Sequence, residues 1–297
     1  MDPLSPLFAR FSLSARVFHS GSLCASVNFD RQPGLGYLHV LRKGSLRVLN
    51  ETLPLGASDE LQTMMIDEPS LLFYPRPYFH GFRVDDPQGA ELVCALIDFG
   101  GGMGNPLLQG LPDILLVPLS SMKGIDTTLA MLFEEAFNEQ AGRQAAINRL
   151  AEYFLVLLLR YAIDSRLING GVLAALADPR IAKSLQAMHE QAHEPWTLES
   201  LAQLAGMSRA SYAAHFKVVT GMTPLDYLTD WRISLAQTLL KRGKPLKMVA
   251  PQVGYSSPIA LTRVFTRRLG KSPTQWLSGS ESIAMDAVAE PARLVES

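Results

Sequence analysis

The feature that most constrains this chain is an internal repeat at an offset of 48 residues. LAQLAGMS at 201–208 lies over VAPQVGYS at 249–256. Both copies run on into a helical stretch, closing on Phe216, Thr220-Gly221-Met222-Thr223-Pro224 in the first and on Phe265, Leu269-Gly270-Lys271-Ser272-Pro273 in the second, where the helix is one residue longer. Each copy reads as a short helix with buried Leu or Val and Ala, a turn at Gly206 or Gly254, an N-cap serine at Ser208 or Ser256, and a second helix. Glycine takes the left-handed backbone of such a turn without steric cost, and the serine accepts an amide left unpaired at the helix start. The pattern is a helix-turn-helix written twice and joined by a helix from Pro224 to Leu240. Pro251 falls inside the predicted helix Leu246–Val253, removes a backbone donor there, and predicts a kink or a short, partly 3₁₀ helix, whereas Pro245 sits where a first turn tolerates it.

Charge gathers on the same region. The net charge of −1 divides into −5 over residues 1–177, +7 over 178–279 and −3 over 280–297. No glutamate occurs between 200 and 280, while arginine and lysine accumulate, which is the footprint of an anion-binding surface. The helical period turns Tyr212, Phe216 and Val219 inward and leaves Ser208, Arg209, Ala210, Ala213, Ala214 and Lys217 outward. Small side chains there let a helix sit deep in a major groove and touch thymine methyls, but they make no bidentate bonds to base edges. This first reading helix is expected to position more than it specifies. In the second copy Leu261 and Phe265 face inward, and Ser256, Ser257, Pro258, Ile259, Thr262, Arg263, Thr266 and Arg267 face out. Arg263 is the expected base reader, because one guanidinium can grip guanine O6 and N7 together.

The N-terminal part follows another rhythm. Gly and Pro recur every 8–12 residues over about 15–120, separating β-type runs at Leu23–Val27, Tyr37–Leu41, Ser45–Leu49, Leu61–Ile66, Leu71–Tyr74, Phe79–Val84 and Glu91–Ile97, the pattern of an all-β sandwich or barrel. From Asp126 apolar residues recur at three and four, giving two helices broken near Gly142. Their apolar residues, especially Leu129, Phe133, Leu150, Phe154 and Leu157, exceed one stripe and predict packing against the barrel, each other or a second subunit, hence a homodimer. Residues 280–297 have no period and are expected to be disordered. With 47% hydrophobic residues, the 297-residue chain can build two cores, which excludes wholesale disorder. No apolar run approaches the ~20 residues of a membrane span, and no export signal opens the sequence, so a cytoplasmic protein without membrane contact is expected. Two cysteines cannot form a disulfide framework.

Two motifs are set aside. His189-Glu190-Gln191-Ala192-His193 matches H-E-x-x-H, but a third ligand is missing, since Trp196 and Glu199 stand where Gly and His would complete the extended motif; the two histidines read as the exposed end of a scaffold helix. Gly100-Gly101-Gly102-Met103-Gly104 is followed by Asn105-Pro106 instead of a helix start, and reads as a loop.

DPRIAKSLQAMHEQ, WTLESLAQLAGMSRASYAAHFK, TPLDYLTDWRISLAQTLL, VGYSSPIALTRVF and LGKSPTQW resemble the AraC/XylS family of bacterial transcription regulators. Upstream, SGSLCASVNFD, YLHVLRKG, EPSLLFYPRPYFH and ELVCALIDFG resemble the cupin-type N-terminal domain of one subgroup. The resemblance implies an α+β two-domain chain: a cupin-like sensor barrel at 1–120, linker and dimerisation helices at 121–177, and an all-α double helix-turn-helix domain at 178–279 that binds double-stranded promoter DNA. A small molecule of unidentified nature or a metal in the barrel would control it, with no catalysis. A metal-dependent cupin enzyme carrying a DNA-binding appendage and a nonspecific DNA-binding protein are the rival readings.

Cys24, His39, His80 and Cys94 supply the metal expectation. Their spacings of 15 and 14 residues suit nearby strands, and thiolate with imidazole is the ligand chemistry of tetrahedral Zn²⁺. The alternative is that all four are ordinary core side chains. The resemblance strengthens the metal reading, because the four fall in the patterns that mark the subgroup. One Zn²⁺, structural or sensing, is expected there.

Overall fold

The structure, a computed structural model, describes residues 4, 7–8, 13–50, 63–84, 88–99, 105–108, 110–168, 170–278 and the backbone of 292–294. The Gly100–Gly104 run lies outside them. The chain divides into two compact units, one of residues 13–102, 112–162 and 289–297, the other of 1–12, 103–111 and 163–288.

Among the described residues the first unit is built on two five-stranded antiparallel sheets. One is ordered β1 (Ser14–Leu23), β8 (Ala90–Asp98), β3 (Gly36–Lys43), β6 (Ser70–Tyr74), β9 (Leu115–Pro118). The other is ordered β10 (Ala292–Leu294), β2 (Val27–Phe29), β7 (His80–Arg83), β4 (Leu46–Asn50), β5 (Thr63–Ile66). Alternation makes the core: Tyr37, Leu41, Leu72, Leu92, Cys94 and Leu96 of the first sheet meet Val27, Phe29, Leu46, Val48, Ile66 and Phe82 of the second. Two strands depart from expectation. β1 carries an irregularity between Val17 and His19 that breaks the alternation, so its SARVFHSGSL sequence does not read as a strand, and the expected Leu23–Val27 run spans the break between β1 and β2. β9 is four residues long and ends on Pro118. In the tail, where disorder was expected, the described stretch 292–294 is a strand, held by backbone pairing to β2 instead of by any side-chain pattern.

Helices α1 (Asp126–Phe137) and α2 (Arg143–Asp164) break at Gly142, whose φ of +84° suits glycine alone. α1 and α2 up to Ala162 cluster with the sheets in this unit. β1 is an edge strand, and α2 occupies its open side with side chains one turn apart. Val17 N–H donates to Asn148 Oδ1 at 2.8 Å, Gln144 Nε2 donates to Val17 O at 2.8 Å, and Ala15 N–H reaches Glu152 Oε1 at 3.4 Å. Phe133 and Phe154 are buried within the unit and so are no surplus for a partner; Met131, Phe137 and Tyr153 are the large apolar residues these helices expose.

The second unit is helical: α3 (Gly171–Ala177), α4 (Ala182–Glu190), α5 (Leu198–Leu204), α6 (Arg209–Thr220), α7 (Pro224–Lys241), α8 (Leu246–Gln252), α9 (Pro258–Leu269), then a helical turn at 273–278. Its core gathers Leu201, Tyr212, Phe216, Tyr227, Trp231, Val249, Leu261 and Phe265, each no more than 2% exposed. α3 was not expected; its GVLAALA sequence starts on a glycine, with no side-chain cap to mark it. His189 also departs from expectation. It is buried, stacks on Trp231 at 3.9 Å and shares a 2.5 Å hydrogen bond with the Tyr227 hydroxyl, because the apolar face of α4 that carries Met188 carries it too. His193 lies beyond the end of α4, so the two imidazoles do not share a helix face.

Candidate nucleic-acid interface

Each half of the repeat builds its reading helix by the same local rules. Gly206 and Gly254 turn the chain at φ +65° and +80°. Ser208 Oγ accepts the Ser211 amide at the start of α6. In the second half the cap is Ser257, which accepts the Ala260 amide, and not Ser256 as expected: Pro258 holds the first helical position, where its fixed φ suits the helix and its missing N–H costs nothing. Gly221 and Gly270 close the two helices in the left-handed conformation. Pro251 lies in a helix of seven residues, short as expected.

The burial pattern separates the faces. Tyr212 and Phe216 are fully buried in α6, while Ser208, Arg209, Ala210, Ala214 and Lys217 are exposed and Ala213 is half-buried. Leu261 and Phe265 anchor α9; Ser256, Ile259, Arg263, Thr266 and Arg267 are exposed, and Ser257, Pro258 and Thr262 are half-buried. Ile259, 80% exposed, is a large apolar side chain presented to water at the first turn of α9. The expected outward sets are thus brought together, one on each reading helix. Behind α6 lies α3, and His215 on α6 meets Asp178 at 2.7 Å.

Among the cations of the basic footprint, Arg268 and Arg232 are engaged within the unit by charged or paired hydrogen bonds, and Lys241 and Lys244 also meet Trp276 and Gln252. Arg268 ion-pairs with Asp226 at 2.5 Å and Asp230 at 3.2 Å, both on α7. The Thr223 hydroxyl and then the Arg268 guanidinium hold the Asp226 carboxyl below the usual carboxylate range, while burial raises that of Asp230. Arg232 donates to backbone carbonyls instead of facing out. Sequence spacing gave no sign of either role, since both arginines lie on amphipathic helices whose partners are distant in sequence.

In the barrel the four expected metal ligands are not brought together as one set. His39 and His80 meet, Nε2 to Nε2 at 2.8 Å, packed among Phe29, Tyr37, Tyr74 and Phe82. The His80 Nδ1 faces the Tyr78 carbonyl at 3.2 Å and so carries the proton; its Nε2 then accepts from His39 Nε2–H, which leaves His39 Nδ1 a bare lone pair without a hydrogen-bond partner among the described residues. Burial keeps both rings neutral, lowering His80 to about 3 and His39 well below its ordinary value. Cys94 pairs across the sheet with His39, but burial pushes its thiol up and favours the protonated form. Cys24 is exposed beyond the end of β1, with Sγ 3.8 Å from Ser22 Oγ. Among the described residues no group of three or more His, Cys, Asp or Glu is arranged to hold a metal ion. The set of four does not fit a tetrahedral thiolate-imidazole site.

Comparison with known proteins gives two family matches. A cupin family model matches residues 2–164, and a helix-turn-helix domain model matches residues 201–279. Over 171 residues the chain is 35% identical to an AraC-like transcription regulator of Streptomyces antibioticus, and over 188 residues 36% identical to another of Streptomyces lividans; these stretches cover 56% and 61% of this chain and the same shares of the relatives. The chain thus spans less than two thirds of the length of either relative. With the HTH-type transcriptional regulator AlkR of Acinetobacter baylyi it shares 32% identity over 234 residues, 74% of each chain.

Proposed function

The chain belongs to the AraC-type family of helix-turn-helix regulators that carry a cupin N-terminal domain, and from that premise we propose that it is a sequence-specific regulator of transcription that reads double-stranded promoter DNA with α6 and α9. The observation that carries the proposal is the pair of reading helices, each anchored by two fully buried side chains and each presenting a polar or cationic face, in the segment with a net charge of +7. α6 supplies Arg209 and Lys217 to phosphates around a row of alanines; α9 supplies Arg263 to a base edge, and Ile259 to a thymine methyl. The sheet unit is the sensor, and the protein acts in the cytoplasm as a homodimer through Met131, Phe137 and Tyr153. The regulator names of the relatives support this reading over a cupin enzyme with a DNA-binding appendage.

Shift titrations of labelled duplexes against random competitor DNA at two salt concentrations test it. Regulator function requires a specificity ratio of about 10³ or more; a ratio near one leaves only a nonspecific DNA-binding protein. Footprints should cover two major-groove segments about 34 Å apart per monomer. Light scattering at micromolar protein checks the dimer, and a monomer mass overturns that part.

A further inference from the structure

The two halves of the repeat are joined by a single helix, α7, and one side chain on it touches both the turn that leads into the first half and the turn within the second. Arg232 Nε donates to the Ala192 carbonyl at 2.7 Å, and its Nη2 donates to the Glu194 carbonyl at 2.7 Å. These carbonyls belong to the turn that leads into α5, the start of the first half; the same turn holds the Trp196 indole through the Gln191 carbonyl. The Arg232 Cζ lies over the Tyr255 ring, 5.8 Å from the ring centroid, in the turn of the second half. Gly254 in that turn packs so closely that a Cβ there would come within 2.8 Å of the Arg232 Cζ and 3.0 Å of the Ala192 carbonyl oxygen. The guanidinium is therefore a flat spacer between the α4–α5 turn, which leads into the first half, and the turn of the second half. Arginine alone combines a planar fork that satisfies two carbonyls with a cationic face that can meet a ring; lysine offers one point donor and no face.

On the reading that this unit binds DNA through α6 and α9, we propose that Arg232 is a positioning residue that sets the spacing and rotational phase at which the second reading helix meets DNA relative to the first. Moving the second target segment by one base pair shifts it about 3.4 Å and rotates it about 35° around the duplex. A rigid spacer refuses that shift, whereas a loose junction follows it. Arg268, through Asp226 and Asp230, ties α9 to the same helix, so Arg232 acts on the turn and Arg268 on the reading helix of the second half.

The full chain is tested on a duplex it selects itself from a random library of about 30 base pairs, followed by variants with one base pair inserted or deleted between the two footprinted segments. Wild type should lose at least about tenfold in affinity on either change. Arg232→Ala should bind the selected duplex more weakly and show less than about threefold difference between spacings, and Arg232→Lys should fall between the two. Tyr255→Leu, which keeps both carbonyl bonds, should relax the spacing preference in part and supplies the test if Arg232→Ala does not fold. Equal losses at every spacing, with a lowered Tm, would mean that Arg232 only stabilises the unit and would overturn the proposal. A wild type that binds its selected sequence with no spacing preference overturns it too, leaving DNA reading intact. Selection that enriches no sequence overturns the DNA reading itself, and the proposal with it.

Discussion

The two helix-turn-helix halves share a scaffold and differ in what they show to solvent. Both turn on a glycine at positive φ, both cap the reading helix with a serine three residues before the amide it accepts, and both bury an aromatic ring in the middle of that helix. Outward, α6 shows three alanines between Arg209 and Lys217, while α9 shows Ile259, Thr262, Arg263, Thr266 and Arg267. The repeated residues therefore make the fold, and the residues that differ make the chemistry. On the proposed reading, strong base discrimination would belong to the second half and phosphate anchoring to the first.

The largest expected effect tests the shared scaffold. Phe216→Ala and Phe265→Ala each remove a fully buried ring and should cost about 3–5 kcal/mol of unfolding free energy in denaturant titrations; a loss below about 1 kcal/mol in only one of them would end the equivalence of the halves. Next comes the chemical difference. Arg263→Ala should lose about 1–3 kcal/mol of discrimination at one base pair, read by competition between matched and mismatched duplexes, and a loss that is the same on every sequence would reassign Arg263 to a phosphate. The caps come third: Ser208→Ala and Ser257→Ala should each destabilise by ~1 kcal/mol, visible as a lower Tm, while Ser256→Ala should leave Tm unchanged. If Ser256→Ala is the damaging one, the displaced cap is wrong. Smallest is Lys217→Ala, which should weaken all duplexes alike and reduce the salt slope of log K by about 0.9; loss of discrimination at one base pair would show that α6 also specifies.

What the sequence revealed depended on whether its signal was local. The reading helices were legible because caps, turn glycines and inward aromatics fall at fixed spacings, and the outward sets on α6 and α9 follow from that geometry. The displaced cap at Ser257 turned on whether Pro258 opens the helix, which the repeat itself hides, since the first copy has Arg209 directly after its serine. α3 was missed because it starts on glycine without a cap, and β1 because its irregularity interrupts the period. The roles of Arg232 and Arg268 were hidden for another reason: their partners lie about 40 residues away in sequence. The four barrel residues had suitable spacing, yet spacing does not say that Cys24 falls just beyond the end of its strand, where it faces solvent.

The row of polar side chains that α2 lays along β1 turns one backbone amide into a clock. Val17 N–H is bonded to the Asn148 side chain, so its exchange with deuterated solvent proceeds only when the helix lifts from the strand. Amides inside the β1–β8 ladder wait instead for the sheet to open. A ratio of those two exchange rates measures how often the helix detaches from an intact barrel, and any effector that grips the barrel without touching α2 would leave that ratio's numerator unchanged.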